Sequence, residues 1–170
     1  INMIRAGRES PYVVLRTSIM DGLKPETFLD VKGVSYLLES IKKQNFKDYE
    51  IIVADANSKD KTIDIAKKYN CIITHGGLPA KGRNNGANIA KGDLLFFLDA
   101  DTILPDNFFE KSLKEFNSRK LDIASFRFNS PSKNSFFHFM LDFYNKMITM
   151  VEENTPFSII GVLIKKNLFK

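Results

Sequence analysis

Two aspartates one residue apart, Asp99 and Asp101, close the apolar run Leu94-Leu95-Phe96-Phe97-Leu98 and are the residues of this sequence best suited to chemistry. The run is too short to span a membrane and suits a buried parallel strand. Residues two apart in an extended segment point the same way, so both carboxylates can face one point. Carboxylates held that close repel unless a cation lies between them, and hard divalent ions take oxygen ligands. The pattern points to metal or catalytic use. The alternative for the same residues is a loop pair capping the next helix.

The elements that must position this pair alternate along the chain. A strand is predicted at residues 12–15, left by Arg16-Thr17-Ser18. Residues 5–10 read as an unstructured start, and the stretch to Asp30, with Gly22 and Pro25, as an irregular loop. Val34, Leu37, Leu38 and Ile41 recur at helical spacing. A strand over residues 49–54 ends at Asp55, followed by turn residues in which Ser58 or Asp60 caps a helix carrying Ile65, Ala66 and Tyr69. Residues 71–74 form a short strand and residues 75–80 a loop. Residues 81–90 read as a helix whose Gly82, Gly86, Ala87 and Ala90 let it lie close to a sheet or a ligand. After the acidic pair, Pro105 stands near the start of a helix carrying Phe109, Leu113 and Phe116. A strand over residues 121–128, a helix over 135–151 and a last strand over 157–164 follow. This order predicts an α/β three-layer sandwich, a mostly parallel central sheet with helices on both faces. Such sheets bind ligands at the carboxyl ends of their strands, where Asp55 and the Asp99/Asp101 pair both fall.

A chain of 170 residues reads as one domain, or most of one, with length enough for a core. Its formal charge of +5 is mild and its lysines are scattered, which fits a solvated surface and leaves no basic block for nucleic acid. Cys71 is the single cysteine, which excludes an internal disulfide framework, fits a reducing compartment and reads as a core thiol. No signal peptide and no run of about 18 apolar residues is visible.

Three pieces, taken in order, resemble the family 2 glycosyltransferases of GT-A fold. Residues 40–62, Ser-Ile-Lys-Lys-Gln-Asn-Phe-Lys-Asp-Tyr-Glu-Ile-Ile-Val-Ala-Asp-Ala-Asn-Ser-Lys-Asp-Lys-Thr, look like that family's helix, strand and acidic turn. Lys81-Gly82-Arg83-Asn84-Asn85-Gly86-Ala87, followed by Ala90-Lys91-Gly92-Asp93, is similar to its Arg-Asn-x-Gly helix and the glycine before the next strand. Phe97-Leu98-Asp99-Ala100-Asp101 matches its D-x-D signature. The resemblance covers residues 34 to about 110 well, and residues 157–170 more loosely.

The resemblance implies a GT-A domain that binds a nucleotide-diphosphate sugar with Mg²⁺ or Mn²⁺ and passes the sugar, with inversion, to the hydroxyl of a saccharide or lipid-linked acceptor. Asp55 accepts a hydrogen bond from the donor base. Arg83 lies beside the base or diphosphate, and Asp99 contacts the ribose or sugar. Asp101 ligates the metal. Of the family's first-strand turn only Thr17 carries over, as a further donor contact, and Ala56 stands where a second acidic residue is usual. The acceptor segment that supplies the catalytic base in the family follows a strand similar to residues 160–169, and the chain stops just before it, so no catalytic base is named. Glu152 and Glu153 read as a solvated helix end, and His138 as an ordinary surface or core histidine. The helix over 135–151 is apolar nearly all round, which calls for burial against the sheet or another segment, or for an acceptor-side or membrane-interface surface. The expected location is the cytoplasm, with peripheral contact at the membrane's cytoplasmic face. Two other readings stand beside this one. One is a nucleotide-sugar-binding remnant without catalysis. The other is a haloacid dehalogenase-type phosphatase with Asp99 as nucleophile and Asp101 as acid/base.

Overall fold

The computed structural model describes residues 11–17, 32–126, 135–151 and 161–169. Within them six strands form one sheet in the order β3-β2-β1-β4-β6-β5. The strands are β1 (Pro11–Thr17), β2 (Glu50–Asp55), β3 (Ile72–His75), β4 (Leu94–Asp99), β5 (Ile123–Ser125) and β6 (Gly161–Lys165). The helices are α1 (Lys32–Lys42), α2 (Thr62–Lys68), α3 (Pro79–Ile89), α4 (Phe108–Ser118) and α5 (Ser135–Val151). β1 pairs in parallel with β2 and β4, and β2 with β3. β6 runs antiparallel to β4 and to β5. A mostly parallel centre with helices on both faces is the arrangement expected from the order of elements.

Alternation along the central strands divides the core in two. Ile51 and Val53 of β2, with Phe96 and Leu98 of β4, pack with Val34, Leu37, Leu38 and Ile41 of α1, Ala66 of α2, and Phe109 and Phe116 of α4. Ile52, Leu95 and Phe97 point the other way, toward Ala87 and Ala90 at the end of α3. A strand covered on both faces must be apolar at every position, which is why β4 reads as an unbroken run. Phe96 is fully buried, with the rings of Phe109, Phe126 and Phe108 at 5.1, 5.9 and 6.1 Å. On the opposite face, small residues let α3 settle: a Cβ on Gly82 would stand 3.6 Å from that of Ala54.

Several boundaries differ from the sequence reading. β1 runs on through Arg16 and Thr17, because Arg16 continues the ladders to both β2 and β4 and Thr17 the one to β2. β3 ends at His75, and α3 begins at Pro79 in what reads as a loop, proline's fixed φ being suited to a first helical turn. β5 is only three residues long, and the last strand runs one residue further than expected, to Lys165. Ser58 does not cap α2; the Thr62 N–H donates instead to Asp60 Oδ1 at 2.9 Å. The first 10 residues, residues 18–31, Glu152, Glu153 and residues 157–160 lie outside the described residues.

Helix α5 leaves apolar side chains uncovered: Phe136, Phe139, Met140, Phe143 and Met147 are 71, 66, 47, 56 and 48% exposed. Among the described residues no helix is long and apolar enough to cross a membrane.

Both α2 and α4 end in the same motif. Past α2, Asn70 adopts φ 57°, the Cys71 N–H reaches the Ala66 carbonyl and the Asn70 N–H reaches that of Lys67. Past α4, Lys120 adopts φ 53°, with Leu121 bonded to Phe116 and Lys120 to Asn117. These are Schellman closures, whose left-handed residue is usually glycine. Lys120→Gly is therefore expected to stabilise the chain by about 1 kcal/mol, raising Tm by roughly 2–4 °C in a calorimetric scan.

Cys71 sits just before β3, half-buried against the larger core cluster, and burial pushes its thiol up to about 12. The native thiol is thus expected to resist iodoacetamide at pH 8, where the thiolate is the reactive form, and to react once unfolded. The folded chain holds this proton more tightly than the unfolded one. The contribution to stability is therefore complete below pH 9.0 and falls as pH rises from there toward 12.

Candidate functional site

Parallel pairing of β3, β2, β1 and β4 brings four carboxyl ends to one edge of the sheet. Thr17, Asp55 and His75 stand in register across β1, β2 and β3, and Asp99 lies beside Arg16 on the other side of β1. At usual strand spacing these ends span roughly 15 Å. By alternation Asp55 continues the face that carries Ile51 and Val53, and Asp99 the face that carries Leu95 and Phe97. The two carboxylates therefore flank the edge from opposite faces.

Asp55 is 8% exposed. Its Oδ2 accepts the Ser58 N–H at 3.0 Å and its Oδ1 the Ser58 hydroxyl at 2.5 Å. Asn57, at φ 68°, turns the backbone so that Ser58 can reach back. The Asp55 carbonyl accepts the Gly76 N–H at 2.6 Å. The contact leaves no room for a side chain, since a Cβ on Gly76 would lie 2.7 Å from the Asp55 carbonyl carbon and 2.8 Å from the Ala56 nitrogen.

Helix α3 brings in the positive charge. Arg83 Nη2 lies 3.6 Å from Asp99 Oδ1, with the side chains 33 and 27% exposed. Asn85 Nδ2 donates to the His75 carbonyl at 2.7 Å and fixes the helix against the end of β3. The structure thus brings Arg83 and Asp99 together, with Asp55 two strands away along the same edge.

The D-x-D pair is not arranged as an extended strand would place it. The Thr102 N–H donates to the Asp99 carbonyl at 3.1 Å, so the chain turns directly after Asp99. Ala100 goes into the core, while Asp101 is exposed. β4 ends at Asp99, and Ala100 still joins the core cluster of Phe96 and Leu98, on the face away from Asp99. The carboxylates have separate surroundings, Asp99 against Arg83 and Asp101 toward solvent.

Among the described residues no group of three or more His, Cys, Asp or Glu side chains gathers that could hold a metal by itself. One or two carboxylates would serve for Mg²⁺ or Mn²⁺ only where other oxygens complete the shell. Asp101 offers the accessible oxygens for such an ion.

The sheet order and the acidic strand ends define a GT-A domain. The chain belongs to glycosyl transferase family 2, whose sequence model matches residues 30–168. The Staphylococcus aureus protein named poly(ribitol-phosphate) beta-N-acetylglucosaminyltransferase TarS is 33% identical over 85 residues, 44% of this chain and 15% of that protein. Glycosyltransferase GlyA of Streptococcus pneumoniae is 28% identical over 157 residues, 78% of this chain and 22% of its own length. The mannosyltransferase PcManGT of Pyrobaculum calidifontis, solved with GDP-Man and Mn²⁺, superposes with a TM-score of 0.69 at 17% identity, over 94% of this chain and 45% of that one. The chain thus spans less than a quarter of these two curated relatives. The family match includes Asp99 and Asp101, which sets aside the phosphatase reading.

Sequence reasoning leaves out His75 and Gly76 at this edge and treats Ser58 only as a helix cap. The available signal is His75-Gly76-Gly77 directly after a short strand, a place where the backbone must turn close to its neighbour.

Proposed function

We propose that this edge binds a nucleoside diphosphate sugar, and that the chain is the donor-binding part of an enzyme that transfers the sugar to an acceptor hydroxyl with inversion. The observation that carries the reading is the Arg83–Asp99 contact at the same edge as Asp55 and Asp101, within a family 2 domain. Asp55, held by Ser58, accepts from the base, and Thr17 adds a contact at the end of β1. Asp99, with Arg83 beside it, orients the ribose or sugar. Asp101 presents oxygens to Mg²⁺ or Mn²⁺. When bound, the cation neutralises charge that develops on the diphosphate leaving group. The three aspartates serve the donor; the base that takes the acceptor proton is assigned to none of them. The acceptor is a saccharide or a lipid-linked one, in keeping with the poly(ribitol-phosphate) and undecaprenol-linked substrates in the names of relatives.

A thermal scan tests the donor reading. With Mn²⁺ and UDP- or GDP-sugar at about a hundred times Kd, the chain should gain about 2.7 kcal/mol, a Tm rise of roughly 5–10 °C. No rise with any such donor at millimolar concentration contradicts it. Binding without transfer to any saccharide acceptor is the result the remnant reading expects.

A further inference from the structure

The loop that carries Asp101 from β4 to α4 is supported along its length by α1. A Cβ on Gly33, at the start of α1, would lie 3.5 Å from the Ala100 carbonyl and 3.7 Å from the Asp101 Cα. Ser40 on α1, and Gln44 just past the end of that helix, then carry two polar side chains into the core. Ser40 is 6% exposed and Gln44 is 1% exposed. Ser40 Oγ donates to the Leu37 carbonyl at 2.7 Å and accepts the Leu104 N–H at 3.1 Å. Gln44 Nε2 donates at 3.0 Å both to the Ser40 carbonyl and to the Pro105 carbonyl, and its Oε1 accepts the Phe109 N–H at 3.4 Å. At the rim Asn45 Nδ2 donates to Asn107 Oδ1 at 2.6 Å, and Asn107 has φ 59°.

Buried polar side chains contribute little net stability even when fully bonded, and apolar residues of similar volume would pack the same face. Their distinctive effect is on the loop. Ser40 and Gln44 reach its backbone at Leu104 and Pro105 and the first turn of α4 at Phe109, while Thr102 is tied to Asp99. Leu104 N–H is three residues past Asp101. Without the Ser40 hydroxyl it would be left unpaired in the core, and the loop would relax to recover a partner.

We infer that Ser40 and Gln44 are positioning residues that set the backbone of the β4–α4 loop and so hold Asp101 where the diphosphate-bound cation needs it. The role rests on the donor-site reading above. Its first readout needs no ligand: in Ser40→Ala, hydrogen exchange at the Leu104 amide speeds up about tenfold, as expected for one lost buried hydrogen bond. Ser40→Thr, which keeps the hydroxyl, restores protection. The second readout is the increase in affinity for UDP or GDP that Mn²⁺ brings. It falls about tenfold in Ser40→Ala and recovers in Ser40→Thr, while metal-free affinity stays the same. If Ser40→Ala does not fold, Gln44→Met serves, since it loses the Pro105 and Phe109 bonds at similar volume. Faster exchange with the Mn²⁺ increment intact overturns the positioning role, as does unchanged exchange at Leu104. A wild-type chain with no Mn²⁺ increment overturns the donor-site reading itself and takes this role with it.

Discussion

In Asp101→Ala the affinity that Mn²⁺ adds to UDP or GDP binding is expected to disappear, a loss of roughly hundredfold. The estimate follows from Coulomb attraction between unit charges about 4 Å apart near a protein surface, roughly 4 kcal/mol before desolvation is subtracted. Because Asp101 is exposed, its removal should leave stability within about 0.5 kcal/mol. The substitution thus separates ligand binding from folding, as the two sides of a calorimetric titration and a thermal scan. Asp99 offers no such separation, since its carboxylate lies 3.6 Å from Arg83 and its loss leaves a half-buried guanidinium without that partner.

The second large effect is expected at a residue that touches no ligand in this account. Gly76→Ala would place a methyl group 2.7–2.9 Å from three backbone atoms of Ala54, Asp55 and Ala56. Backbone cannot swing aside as a flexible side chain does, so the ends of β2 and β3 must part. The Gly76–Asp55 hydrogen bond is then strained. A cost of about 3 kcal/mol and a Tm drop of roughly 6–12 °C are expected in a thermal scan. Donor affinity should fall as well, because Asp55 moves. Gly82→Ala, on α3 beside the same strand, is the control: its Cβ meets nothing nearer than 3.6 Å, and alanine favours the helix. It should fold at least as stably as the native chain. If both variants behave alike, the close approach at Gly76 is not what fixes the end of β2.

How far these features can be read from sequence varies with their physical origin. Helix α1 is legible because Val34, Leu37, Leu38 and Ile41 fall on one stripe, and all four are buried. Strand β4 is legible because burial on both faces leaves no polar position in it before Asp99. The carboxyl-end placement of Asp55 and Asp99 follows from alternation of elements, and the register bears it out. Strand direction is another matter. β6 runs antiparallel beside β4, and nothing in the local pattern of Gly161–Lys165 encodes which way it runs. The turn after Asp99 is hidden for a similar reason, since a hydrogen bond from Thr102 back to Asp99 decides it and periodicity does not. Ser40 and Gln44 sit within a motif that the resemblance picks out. Their bonds to Leu104, Pro105 and Phe109 join residues more than 60 positions apart and exist only once α1 meets the loop. Helix α5 shows the opposite limit. Its length and period are legible, but apolar composition does not say what covers it, and Phe136 and Phe139 remain exposed.

The central claim is that a nucleoside diphosphate binds at the carboxyl edge of the sheet through a divalent cation on Asp101. Isothermal titration of UDP and GDP into the native chain and into Asp101→Ala, each with and without Mn²⁺, tests it most directly. The account predicts that Mn²⁺ strengthens binding of at least one nucleotide to the native chain by roughly hundredfold, and that this gain is absent in Asp101→Ala. An equal Mn²⁺ gain in both chains would contradict it.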